Sequence, residues 1–188
     1  MYGDVMTDAS ILTAMAHPLR RRILDVLEVH GPSTASLLAE RTGQAVGNIS
    51  HHVRILAEAG LIEEVPELAR DRRERWWRRT AGPISWSSSP GDHDAATEAV
   101  GLAASALNLD RQVAYVRQAR ATGLTERPEW VNTAFSTDSW LHLTPDELAA
   151  YAAEINAVVV RWSTREIPDD GQEREPVFTF VHGFPATP

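Results

Sequence analysis

Residues 44–62, Gln-Ala-Val-Gly-Asn-Ile-Ser-His-His-Val-Arg-Ile-Leu-Ala-Glu-Ala-Gly-Leu-Ile, constrain this chain more than any other stretch. Val46, Ile49, Val53 and Leu56 recur at the spacing of one helical face, which predicts an amphipathic helix. The opposite face carries Gly47, Asn48, His51 and Arg54, and no acid until Glu58. Gly60 stops the helix and Leu61-Ile62 starts an extended segment. Such a helix can pack on a core with one face and push a row of donors into a groove with the other. The B-DNA major groove, ~12 Å wide, admits one helix. An ordinary surface helix has the same periodicity, so the flanking segments have to discriminate.

Upstream, Thr7 or Asp8 can cap a short helix with Ile11, Leu12 and Met15 as its apolar stripe. Pro18 suits the first turn of a second helix, in which Leu19, Ile23, Val26 and Leu27 repeat at helical spacing and Arg20, Arg21 and Arg22 surround the entry. Gly31-Pro32 ends it. Ser33 or Thr34 caps a third helix with Leu37 and Leu38 inward and Glu40-Arg41 outward. Thr42-Gly43-Gln44 is a tight turn leading into the helix described first. A short helix, a glycine-containing turn and a second amphipathic helix make a helix-turn-helix.

Downstream, residues 61–65 predict a strand, 66–73 a polar loop and 74–79 a returning strand, which adds a wing. Residues 70–80 hold six arginines against Asp71 and Glu74. A solvated hairpin would account for such a run, but at this place phosphate or minor-groove contact is the better reading. At least one of Trp76 and Trp77, which alternate faces, is expected to pack on the helices.

This part of the chain resembles the ArsR-type winged helix-turn-helix regulators. The resemblance is carried by His17-Pro18-Leu19-Arg20-Arg21-Arg22-Ile23-Leu24, by Ser50-His51-His52-Val53-Arg54-Ile55-Leu56 and by Ala59-Gly60-Leu61-Ile62, and covers residues 10–80. It implies a homodimer on a pseudo-palindromic operator, with residues 46–59 as the reading helix. Metal-sensing members of that family keep a Cys-x-Cys on the preceding helix. Here that helix reads Ala35-Ser36-Leu37-Leu38-Ala39-Glu40, so a metal site there is excluded. The seven histidines are scattered, and adjacent His51 and His52 point about 100° apart on a helix and cannot readily share a metal. His51 is expected to be exposed and His52 to pack. No metal and no cofactor is expected.

The net charge of −8 looks wrong for a nucleic-acid binder, but its distribution matters more than its total. Residues 1–80 balance 11 Arg against 11 acids, while residues 81–188 hold 7 Arg against 15 acids and carry the whole excess. Lysine and cysteine are absent, which removes disulfides and thiolate chemistry. No signal-peptide pattern opens the sequence and no apolar run nears the ~20 residues of a membrane span, so the chain reads as soluble and cytoplasmic with no membrane partner. Phosphate loops, nucleophile elbows and zinc-protease helices are missing, and an enzyme is not expected.

Residues 80–92, rich in Ser, Gly and Pro, read as a linker, with 84–86 as a brief strand within it. The expected organisation is therefore a winged helix-turn-helix over 1–82, a linker over 83–92 and a C-terminal dimerisation or effector domain over 93–188. The expected class is α+β, mainly helical. Residues 94–122 predict one long helix whose Ala99, Leu102, Ala106, Leu109, Val113 and Val116 form a heptad-like seam. Leu102, Ala106, Leu109 and Val113 are candidate dimer contacts; packing within the subunit is the competing reading. Residues 130–143 look extended. Thr144-Pro145-Asp146-Glu147 is a helix start with a capping box, followed by Leu148, Tyr151, Ala152, Ile155, Val158, Val159 and Trp162 on one face. Residues 177–182 predict a last strand with Phe178, Phe180 and His182 on one side. Leu-Thr-Pro-Asp-Glu-Leu and His182-Gly183-Phe184-Pro185 are similar to tails of actinobacterial regulators of this kind.

The expected function is a DNA-binding transcription regulator with double-stranded DNA and a second copy of itself as partners. Gln44, Gly47, Asn48, Ser50 and His51 would face base edges or neighbouring phosphates. Arg54 and the wing residues Arg70, Arg72, Arg73 and Arg75 would hold phosphates. Trp130, Trp140, His142, Trp162 and Phe178 are candidates for a small-molecule pocket through which an unidentified effector would act; they could equally form the module's own core. A protein-interaction module that merely kept the winged shape is the third reading.

Overall fold

Local signals in the front of the chain are realised almost residue for residue in the computed structural model, which describes residues 9–71, 73–80, 95–123, 128–130 and 133–187. The chain divides into two units, Met1–Arg111 and Gln112–Pro188.

In the first unit, α1 (Ala9–Met15) leads into α2 (Pro18–His30). His17 caps α2 by accepting the Leu19 N–H on Nδ1 at 3.2 Å, and Pro18 fills a position with no helical partner for an N–H. The helix ends at Gly31. β1 is the two residues Ser33–Thr34. The Thr34 hydroxyl accepts the Leu37 N–H at 3.3 Å and so caps α3 (Ala35–Thr42). Gly43 then takes φ +68, a left-handed value that a side chain would oppose, and turns the chain into α4 (Val46–Glu58). Gly60 repeats the device before β2 (Ile62–Glu64). A 3-10 turn over Pro66–Leu68 and a loop lead back to β3 (Trp76–Arg79).

β3 is the central strand of a three-stranded sheet in the order β1-β3-β2, antiparallel throughout. Trp77 pairs with Ser33 on one side and Glu64 on the other. The β1 strand, only two residues long, has no signal in the sequence pattern; pairing with β3 creates it. Trp77 faces the helices and is buried, as alternation requires for one of the two tryptophans. The core joins Met15, Ile23, Leu38, Ile49 and Leu56, each at most 1% exposed, to Val53, Leu61 and Ile62. Each such side chain contributes about 1.5–3 kcal/mol on burial. Val46 is a correction: expected on the apolar face, it is 47% exposed, because the first turn of α4 extends beyond the helices packed beneath it.

Two arginines of the α2 entry are structural. Arg20 is buried and donates to the Ala14 and Thr13 carbonyls at 2.5 and 2.7 Å, closing the C-terminal end of α1. Arg21, also buried, donates to the Asn108 side chain on α5 (Ala95–Gln118). Arg111 pairs with Asp25 at 2.5 Å. The first part of α5 thus packs on α1 and α2 through Gly101, against Leu12, and Ala104, 1% exposed. The expected linker and the brief strand within it lie outside the described residues, as do the expected caps Thr7 and Asp8.

In the second unit, α5 ends in a π turn over Ala119–Gly123, Pro128–Trp130 form a 3-10 turn, and α6 runs Pro145–Ser163. Its capping box is complete: the Thr144 hydroxyl accepts the Glu147 N–H at 3.3 Å, and the Glu147 carboxylate accepts the Thr144 N–H at 2.7 Å. Those bonds hold the Glu147 carboxyl below its ordinary range. The strands expected within residues 130–143 and over 177–182 do not form among the described residues, and Trp130 instead ends a 3-10 turn. The alternation survives without the ladder: Phe178 lies 4.9 Å from Tyr115, and His182 Nε2 lies 2.7 Å from Gln112 Oε1, both on α5.

Candidate nucleic-acid interface

The outer face of α4 and the turn before it form a continuous polar surface. Gln44, Gly47, Asn48, Ser50, His51 and Arg54 are all exposed, while Ile49, His52, Val53 and Leu56 are buried beneath them. The Asn48 amide donates to the Gln44 side-chain oxygen at 3.2 Å, so these two present a joined donor and acceptor edge. Ser50 bonds back to the Val46 carbonyl at 2.9 Å, which occupies its hydroxyl proton and leaves its lone pairs outward. Arg54 sits 3.8 Å from Glu58 with both side chains more than two-thirds exposed, a contact that water screens and a phosphate can displace. No acidic side chain precedes Glu58 on this helix.

Residues 15–65 match the family model described as a helix-turn-helix domain.

The match spans α2, α3, α4 and β2 and stops before the returning strand. It makes the front of the chain a helix-turn-helix DNA-binding domain of the winged kind and supports a transcription regulator. No curated protein matches the chain. Among the described residues, no helix is long and apolar enough to cross a membrane.

The hairpin behind the helix-turn-helix domain is less cationic than its composition suggests. Arg75 pairs with Glu64 at 2.5 Å and lies 4.9 Å over the Trp77 ring. The hydrogen bond from Arg75 holds the Glu64 carboxyl below its ordinary range. Arg78 pairs with Glu63 at 2.7 Å, and Arg79 with Glu28. Arg70 and Arg73 are exposed and make no ion pair among the described residues. Their loop is shaped by Asp71, which accepts the Arg73 and Glu74 N–H groups at 2.7 and 3.1 Å, and by Glu74, which accepts the Arg70 N–H at 2.8 Å. Arg72 lies outside the described residues. Among the described residues, no hydrogen bond or ion pair joins the α4 set to the wing set.

Beneath α4 lies a histidine cluster that no spacing rule reveals. The His17 and His52 rings stand 4.5 Å apart, and His51 meets His52 edge-on at 5.3 Å. Burial first, then His17, Arg20 and His51, holds the His52 imidazole below the ordinary histidine range. Burial, then Arg20 and His51, does the same to His17. Nδ1 of His52 is buried without a hydrogen-bond partner. Neutral histidines therefore join the start of α2 to the middle of the exposed helix.

Elsewhere the expected site residues lie on the surface. Leu102 and Leu109 are 61% and 47% exposed, Ala106 is exposed and Val113 half-buried, so the seam of α5 is left open by the single chain. Trp140 and Trp162 are 65% and 59% exposed, His142 is exposed, and Trp130 is half-buried. Among the described residues, Phe178 alone of that group has aromatic neighbours, Tyr115 and Phe180.

Proposed function

We propose that the protein is a sequence-specific transcription regulator of the ArsR type that acts as a homodimer on a pseudo-palindromic operator. The observation that carries the reading is the outward face of α4 and the turn before it: six exposed small, polar or cationic residues from Gln44 to Arg54, on a helix whose other face is anchored in the core by Ile49, His52, Val53 and Leu56. In the major groove, the joined Gln44–Asn48 edge and His51 meet base edges, Asn being suited to bidentate contact with adenine. Gly47 lets the helix approach closely, the Ser50 oxygen, whose proton the Val46 carbonyl holds, accepts from a base-edge amino group, and Arg54 exchanges Glu58 for a phosphate.

Arg70, Arg72 and Arg73 hold phosphates from the wing. Arg75 acts there only after release from Glu64, and its contribution is correspondingly smaller. The open seam of α5 supports the homodimer. Two reading helices on a two-fold axis would address half-sites about 34–36 Å apart.

The test is fluorescence anisotropy with a duplex selected from genomic fragments and with a random duplex, each over a salt series. Tighter binding of the selected duplex at every salt, with a negative salt slope on both, is the expected result. Absence of binding to either duplex at low salt would leave a protein-interaction module instead.

A further inference from the structure

Among the described residues of the C-terminal unit, Gln112 alone is buried. None of the described residues 133–187 is buried, although α6 runs 19 residues, opens with a complete capping box and carries an apolar face. Helices draw most of their stability in water from packing that face. The segment 177–182 sets Phe178, Phe180 and His182 to one side, and leaves Val177 and Val181 64% and 61% exposed on the other. Residues 135–143 and 179–184 make no backbone–backbone hydrogen bond among the described residues, so their N–H and C=O groups are left to pair with another chain.

The amount and chemistry of this surface point to its occupant. Phe135, Trp140, Trp162, Phe180 and Phe184 are 36–83% exposed. At ~150–250 Å² for a whole aromatic side chain, they present roughly 600 Å². Eight aliphatic side chains from Leu141 to Val181, 41–65% exposed, add about as much again. Val177 and Val181 lie opposite Phe180, and Val158, Val159 and Val160 wind around α6, so about half of this area can meet in one contact; two copies then bury on the order of 1,200 Å² together, the lower end of stable interfaces. The apolar stretches 139–143, 155–160 and 176–187 contain no Asp, Glu or Arg. The unit's acids lie outside them, so apposing these stretches from two copies brings no like charges together. A helix face and two strand edges in one unit are also what an isologous two-fold contact needs.

We propose that the C-terminal unit completes its core with the same unit of a second copy of this chain, residues 135–143 and 179–184 pairing as strands across a two-fold axis and the apolar face of α6 closing over them. The inference rests on the homodimer proposed above and names the surface that makes it.

The full chain is tested by light scattering after size exclusion at high and low micromolar concentration, beside Val159→Asp, Val181→Asp and Leu109→Arg. In a lone chain, positions 159 and 181 are 44% and 61% exposed, so a charge there is tolerated. The expected result is twice the chain mass for the natural protein and the single-chain mass for both aspartate variants, with half-site DNA binding kept. Backbone amides of 179–184 should exchange slowly in the natural dimer and fast on dilution, which decides the matter even if a variant misfolds. A natural protein of single-chain mass at every concentration overturns the inference and the homodimer with it. Dimers in both aspartate variants, with only Leu109→Arg dissociating, overturn the inference and leave the homodimer on the α5 seam.

Discussion

Replacing Arg54 with alanine isolates one phosphate contact from everything else in the fold. The side chain is 69% exposed and its ion-pair partner among the described residues is Glu58, 68% exposed at 3.8 Å on the next turn. Such a pair contributes ~0.3–0.5 kcal/mol to a helix, and alanine is at least as good a helix former as arginine. The thermal midpoint should therefore barely move. DNA binding should move in a defined way. Each phosphate neutralised contributes about 0.9 to the slope of log affinity against log salt. Losing one contact makes affinity about 3.5-fold less sensitive to the fourfold change from roughly 50 to 200 mM salt. The slope should flatten equally on the selected and the random duplex, because a phosphate carries no sequence information. Glu58→Gln should leave the slope unchanged and strengthen binding to both. The assay is anisotropy at three or more salt concentrations with circular dichroism melting alongside. An Arg54→Ala slope identical to that of the natural protein, with the fold intact, would refute the placement of α4 against the backbone.

Asn48→Ala should cost about 1–3 kcal/mol of discrimination between selected and random duplex; equal weakening on both would remove Asn48 from base reading. Thr144→Ala breaks the capping box of α6 and should destabilise that helix by about 1 kcal/mol, read as reduced helical ellipticity with α4-dependent DNA binding preserved; unchanged ellipticity would argue against the cap. His17 and His52 have folded-state values below the ordinary histidine range. The unfolded chain therefore binds more protons between the folded value and about 6.5. The stability they contribute is complete above that pH and is lost as pH falls through the window below it. The thermal midpoint should drop on acidification from about pH 7, and His52→Leu should flatten the profile in that window; parallel profiles for the two proteins would count against the buried pair.

The front of the fold was legible because its signals are local. Pro18, Thr34, Gly43 and Gly60 set helix ends through their own backbone chemistry, and the Ile49, Val53, Leu56 stripe needs only a helical period to be read. The exposed set on α4 followed from the same period, as did the packing of His52 and the exposure of His51.

Failures of the pattern occurred where a partner distant in sequence intervenes. Val46 fits the apolar stripe, yet as the first residue of α4 it is 47% exposed, while Ile49 three residues on is in the core. Arg75, Arg78 and Arg79 look like free cations until the fold brings Glu64, Glu63 and Glu28 to them. Arg20 and Arg21 look like surface charge until α1 and α5 supply acceptors.

The sequence by itself determined the order of helices, their caps, the face that α4 turns to solvent and the alternation of 177–182. Those properties depend on torsional preference and periodicity within a few residues. Only tertiary structure decided which arginines remain unpaired, that His17 meets His52, that β1 exists, and that none of the described residues 133–187 is buried. Each of these depends on which groups share a neighbourhood after folding, and Coulomb energy, desolvation and burial are functions of that neighbourhood rather than of separation along the chain.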